Sequence, residues 1–107
     1  MIHFFGNINK VYAVQTSKEI TQEDTLKLNW LFGNQPKINE ASIDAFFIGP
    51  RAAMVTPWST NAVEITQNMA IEGIIRIEEF TASTKEEDFD YMIFQKYTSL
   101  HQDIFDI

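Results

Sequence analysis

Within 107 residues the chain passes repeatedly from strand-like to helix-like patterning, and this alternation limits its folds more than any other feature. Lys10 to Thr16 (KVYAVQT) is rich in β-branched and aromatic types and predicts a strand, with the apolar Ile2 to Phe5 as an edge strand before a Gly6-Asn7 turn. Thr21 and Asp24 stand at capping-box spacing and open a helix whose Leu28, Leu31 and Phe32 share one face; Gly33 and Pro36 end it. Ala45 to Ile48 is continuously apolar and predicts a buried strand, interrupted by Gly49-Pro50, after which Ala52 to Val55 resumes an extended pattern. A second helix carries Ala62, Ile65, Thr66 and Met69 on one face, with Ser59 as N-cap and Asn61 as the rival, and it ends between Ala70 and Gly73.

Ile74 to Thr81 (IIRIEEFT) predicts a further strand. Thr84 and Glu87 repeat the capping-box spacing, and Phe89, Met92, Ile93, Lys96, Tyr97 and Leu100 then form the clearest helical stripe in the chain, with a break near Tyr97 to Ser99 as the alternative to a continuous helix. The resulting order, β-β-α-β-α-β-α, predicts an α+β two-layer sandwich: a sheet of about four mainly antiparallel strands with helices on one face. The whole of residues 1–107 reads as one domain. Three large apolar residues fall within the last four positions, Ile104 to Ile107; either this tail docks on the domain or it marks a boundary within a longer polypeptide, and the boundary is the favoured reading.

Composition narrows the chemistry. Hydrophobic residues are 45% and charged residues 21%, and nine Phe, three Tyr and two Trp supply core material, so the chain is globular. Its formal charge of −7, with the eight Lys and Arg spread singly, argues against nucleic-acid binding. The absence of cysteine excludes disulfides and thiolate nucleophiles. No apolar run reaches the roughly 20 residues that span a bilayer, and the amino terminus lacks the pattern of a signal peptide, so the expectation is no membrane and a cytoplasmic location.

No catalytic or metal residues are assigned. The two histidines, His3 and His101, lie at opposite ends of the sequence, and an independent enzyme would need one of them. Glu86, Glu87, Asp88 and Asp90 lack the alternating ligands and turn glycine of a calcium loop and suit a helix start. Arg51 beside the Gly49-Pro50 turn could hold a carboxylate or phosphate, or form an ordinary salt bridge. Trp58 either packs under its helix as a staple or stands exposed as an aromatic anchor for a partner.

Gly49-Pro50-Arg51, then Thr56-Pro57-Trp58-Ser59-Thr60-Asn61-Ala62, Glu64-Ile65 and Asn68, and finally Arg76-Ile77-Glu78 resemble the N-terminal region of phosphoribosylformylglycinamidine synthase. The likeness is specific over about Phe46 to Phe80, and departs from the family pattern at Ala52-Ala53, at Thr56 in place of Ser, and at Ala70 in place of a glycine usual near the helix end. The resemblance implies a PurS-like N-terminal domain of the glutamine- and ATP-dependent amidotransferase of purine biosynthesis. It further implies that ATP and magnesium belong to the full-length enzyme and no cofactor to this domain. The implied partners are the synthetase and glutaminase regions of the same polypeptide, with self-association of the isolated domain also open. Under this reading Arg51, Thr56, Pro57, Trp58, Ser59 and Asn61 lie at an interface, and the domain is a non-catalytic docking and scaffolding piece. The competing expectation is a small-ligand-binding regulatory α+β module.

Overall fold

Among the described residues six strands pair antiparallel into one sheet, and two helices cover one of its faces. The computed structural model describes residues 1–7, 9–83 and 94–106, in the order β1 (Ile2–Gly6), β2 (Lys10–Thr16), α1 (Gln22–Leu31), β3 (Lys37–Ile38), β4 (Phe47–Pro50), α2 (Pro57–Asn68), β5 (Ile74–Ala82) and β6 (Phe94–Tyr97). The strands lie side by side as β3-β1-β2-β5-β4-β6. The α+β class and two-layer arrangement follow the sequence expectation, but the sheet has six strands among the described residues rather than about four. β1 is not an edge strand, because the two-residue β3 pairs with it beyond β2.

Period-two alternation divides each strand between two apolar layers. Phe5, Val14 and Ile77 point toward Leu28 and Phe32 of the α1 region and Ala62 of α2. Phe4, Val11, Ala13, Phe47 and Phe80 point the other way, where Tyr97, Leu100, Ile104 and Phe105 cover them. Ile104 and Phe105 of the apolar tail therefore pack on the domain, as the docking alternative of the sequence reading has it. Burying each such aromatic or aliphatic side chain contributes on the order of 1.5–3 kcal/mol. Gly49 is required inside this layer, since a Cβ there would run into the Phe80 ring.

The local signals of α1 are realised as expected. Thr21 Oγ1 accepts from the Asp24 N–H (3.1 Å) and the Asp24 carboxylate accepts from the Thr21 N–H (3.2 Å), while Gly33 turns the chain out at φ 74°. Two expectations fail nearby. Gly49-Pro50 belongs to β4 instead of interrupting it, and residues 52–55 form a turn and loop instead of an extended segment.

The helical stripe through Lys96 and Tyr97 is also corrected. Those residues are extended in β6, with Tyr97 opposite Phe47 and Lys96 opposite Ile48, and Leu100 bridges to Ile43. Phe94 to Tyr97 completes an otherwise unpaired edge of β4, and the backbone hydrogen bonds and buried Tyr97 ring outweigh the local helical period. The Thr84–Glu87 cap, the acidic run and the first half of that stripe lie outside the described residues.

The two ends of the chain meet. The Gln102 side chain accepts from the Ile2 N–H (2.7 Å) and donates to the Ile2 carbonyl (2.9 Å), imitating a strand neighbour for β1, and its amide also donates to the Ala41 carbonyl (2.9 Å).

Two positions carry an identifiable cost. Ala70 follows α2 with φ 61°, a left-handed conformation that disfavours a Cβ. Ala70→Gly is expected to raise unfolding stability by about 0.5–1 kcal/mol, after allowing for the greater freedom of glycine in the unfolded chain; urea unfolding measures it, and a loss of stability would contradict the assignment. His3 has a buried Nε2 without a hydrogen-bond partner among the described residues, and its pKa is lowered by burial first, then by the positive charges of Lys37 and the amino terminus, with Glu19 opposing. Its neutral form is favoured in the fold, so this contribution is complete above about pH 6.5 and is lost as pH falls below it. His3→Gln should therefore flatten the decline in stability between about pH 7 and about pH 5, and an unchanged decline would place its cause elsewhere.

Candidate functional site

The first turn of α2 is built on a buried ion pair. Arg76 and Glu78 lie two residues apart on β5, so both project from the same face of the strand, and they are only 4% and 1% exposed. Arg76 Nε donates to Glu78 Oε2 at 2.8 Å. The remaining guanidinium nitrogens donate to three carbonyls of the loop before α2: Ala52 (2.7 Å), Met54 (3.0 Å) and Arg51 (3.2 Å). Phe105 closes the other side, its ring centroid 4.3 Å from Arg76 Cζ.

Glu78 extends the network into the helix. Its carboxylate accepts from the Thr56 hydroxyl (2.7 Å) and the Thr56 N–H (3.2 Å). The Thr56 oxygen in turn accepts from the Ser59 N–H (3.0 Å). Thr56 is thus the N-cap, with Pro57 in the first turn, correcting the assignment to Ser59 or Asn61. The reason is positional: proline suits the first helical position, where its missing N–H costs nothing, and the hydroxyl just before it can reach the N3 amide.

Ser59 does a different job. It is buried, and its hydroxyl accepts from the Ile77 N–H (3.1 Å). β4 pairs with β5 only at Thr81 and Ala82, so α2 satisfies a β5 donor that no strand reaches there.

This framework holds Trp58 at the surface, 42% exposed, between two grooves. One groove, about 410 Å³, runs between α1 and α2 and is lined by Tyr12, Phe32, Asn61, Ile65 and Glu79. The other, about 380 Å³, is lined by Ile48, Pro50, Thr56, Thr81 and Phe94. Trp58 lies 6.0 Å from Tyr12 between ring centroids with planes 24° apart, and Tyr12 stacks on Phe32 at 4.4 Å. Ile65, which lines the first groove, is itself exposed, as are Met54 and Val55 of the loop before α2.

The six residues singled out from sequence therefore divide. Arg51, Pro57, Trp58 and Asn61 are exposed along one segment, whereas Thr56 and Ser59 join the helix to the sheet. Tyr12, Lys10 and Glu79 were read only as strand residues, and Arg76 and Glu78 only as part of a resemblance. Opposite charges two apart in a strand, followed on the same face by Phe80, were the available signal for a buried pair. His101 is exposed, its Nδ1 accepting from the Asp103 N–H. Among the described residues no group of three or more His, Asp or Glu could hold a metal, and no helix is long and apolar enough to cross a membrane.

Removing one member of a buried ion pair leaves the other charge uncompensated. Glu78→Gln is expected to cost about 3 kcal/mol or more of stability at neutral pH, read as a lower urea midpoint of the chain. A loss near that of an exposed carboxylate would mean that the pair does not anchor the loop.

The family described as formylglycinamide ribonucleotide amidotransferase N-terminal matches residues 9–106. No curated protein and no solved structure matches the chain. The matched span takes in every element from β2 to the C-terminal segment, including the Arg76–Glu78 pair and the helix start that it holds. The chain belongs to the N-terminal domain family of formylglycinamide ribonucleotide amidotransferase, the enzyme also called phosphoribosylformylglycinamidine synthase.

Proposed function

We propose that this chain is a non-catalytic docking domain of the synthase, presenting the start of α2 to the synthetase and glutaminase regions of the enzyme. The observation that carries the reading is Trp58, a large aromatic left half-exposed while the turn beneath it is clamped by a buried ion pair. Exposed aromatics on rigid supports are favoured anchors at protein interfaces, because little side-chain freedom is lost when they dock. Asn61 lines the same groove, and Arg51 and Pro57 are exposed on the segment that leads into it. In this reading 1–107 is one domain of a longer cytoplasmic polypeptide, and ATP, magnesium and the glutamine-hydrolysing nucleophile belong to its other regions.

A specific feature favours a second reading. The groove beside Trp58 is lined by aromatic rings, as a regulatory module that binds a small metabolite would require. Such a ligand would raise the melting temperature of the isolated chain in proportion to its occupancy.

Trp58→Ala in the complete synthase tests the docking role. Glutamine-dependent product formation should fall by roughly tenfold or more, while glutamine hydrolysis and ammonia-dependent synthesis each stay within about twofold. Unchanged coupling in a folded variant would remove Trp58 from the interface.

A further inference from the structure

The groove between α1 and α2 carries more chemical information than an apolar patch would. Three aromatic rings line it, Tyr12 stacked on Phe32 with planes only 6° apart and Trp58 inclined 24° to Tyr12 at 6.0 Å. Glu79 is paired in register with Tyr12 across β2 and β5 and is, among the described residues, the one charged residue lining the groove. Asn61 adds an amide at the rim. An aromatic face beside a carboxylate is the combination that attracts an organic cation, through the ring quadrupole and through charge. The same carboxylate, on a chain of formal charge −7, repels phosphate and carboxylate ligands.

In the free domain Glu79 already has a cation. Lys10 Nζ lies 3.0 Å from its Oε1, with the two side chains 44% and 36% exposed. An ion pair this open to water is weak and readily exchanged. The Tyr12 phenol is pushed up in pKa, by burial first and then by Glu79, with Lys10 opposing, so Tyr12 stays a neutral ring beside the carboxylate.

Resting on the docking reading, we propose that the occupant of this groove is an arginine on a basic segment of the synthase's other regions. Its guanidinium lies against Trp58 and pairs with Glu79, and Lys10 holds that carboxylate until docking. Arginine fits better than lysine because its flat guanidinium can stack on an aromatic face while donating edge-on to a carboxylate.

The proposal sets Lys10 and Glu79 in opposition, and that makes it testable. Calorimetric titration of the 107-residue chain into synthase lacking this domain gives the affinity directly. Glu79→Gln should weaken binding roughly tenfold, whereas Lys10→Met, which frees the carboxylate, should tighten it a few-fold; added salt should weaken the wild-type complex and affect the Glu79→Gln complex less. If both charge variants shift binding in the same direction, or neither does while Trp58→Ala still weakens it, the pair is merely structural and the arginine assignment is overturned with docking intact. Trp58→Ala without effect on binding would remove the docking reading itself.

Discussion

The loop before α2, the start of that helix and so the setting of Trp58 depend on the Arg76–Glu78 pair. Both charges are removed from water, which costs several kcal/mol per ion unless the geometry and additional hydrogen bonds offset it. Here they do: the guanidinium bonds three loop carbonyls besides Glu78, and the carboxylate accepts from Thr56 as well as from Arg76. Replacing the pair with apolar side chains would relieve the desolvation but leave those carbonyls and the helix start without partners. The pair therefore contributes geometry, fixing where a loop ends and a helix begins.

The arrangement of the two apolar layers explains why such a buried charge is tolerated. β5 is central in the sheet, with β2 on one side and β4 reaching only its last residues on the other. Along the stretch of β5 that β4 does not reach, the Ser59 hydroxyl accepts the Ile77 N–H, and the carbonyls of Arg51, Ala52 and Met54 accept from the Arg76 side chain. Phe105 then seals the guanidinium from the side opposite the helices. The loop and the start of α2 are thus tied to β5 by hydrogen bonds, while the C-terminal segment also reaches β1 through Gln102.

Much of this was legible in sequence where the determining forces are local. β2 and the Thr21–Asp24 cap follow from residue type and spacing alone, and both appear with the expected bounds. β6 was misread because Tyr97 satisfies a helical period as well as a strand period, and only the unpaired edge of β4, far away in sequence, decides between them. The α2 cap was misplaced by three residues because Ser59 is an equally good capping type; Glu78, which fixes Thr56 in that role, lies a further nineteen residues along the chain. Trp58 was singled out, but its exposure depends on how Tyr12 and Phe32 fill the space beside it, which no local pattern encodes. The docked C-terminal tail was set second because an apolar end looks the same before and after its binding surface is known.

The Gln102 clasp on Ile2 has a consequence for how the domain forms. A contact spanning 100 residues closes nearly the whole chain into one loop, and its entropic cost must be met before the contact can stabilise anything. During synthesis Ile2 emerges 100 residues before the amide that completes its backbone pairing, so that corner of β1 waits for Gln102 to leave the ribosome. Once closed, Ile2 and Gln102 lie side by side on one rim, so the first strand and the segment after β6 share one hydrogen-bonded corner of the sheet and neither can peel away without releasing the other.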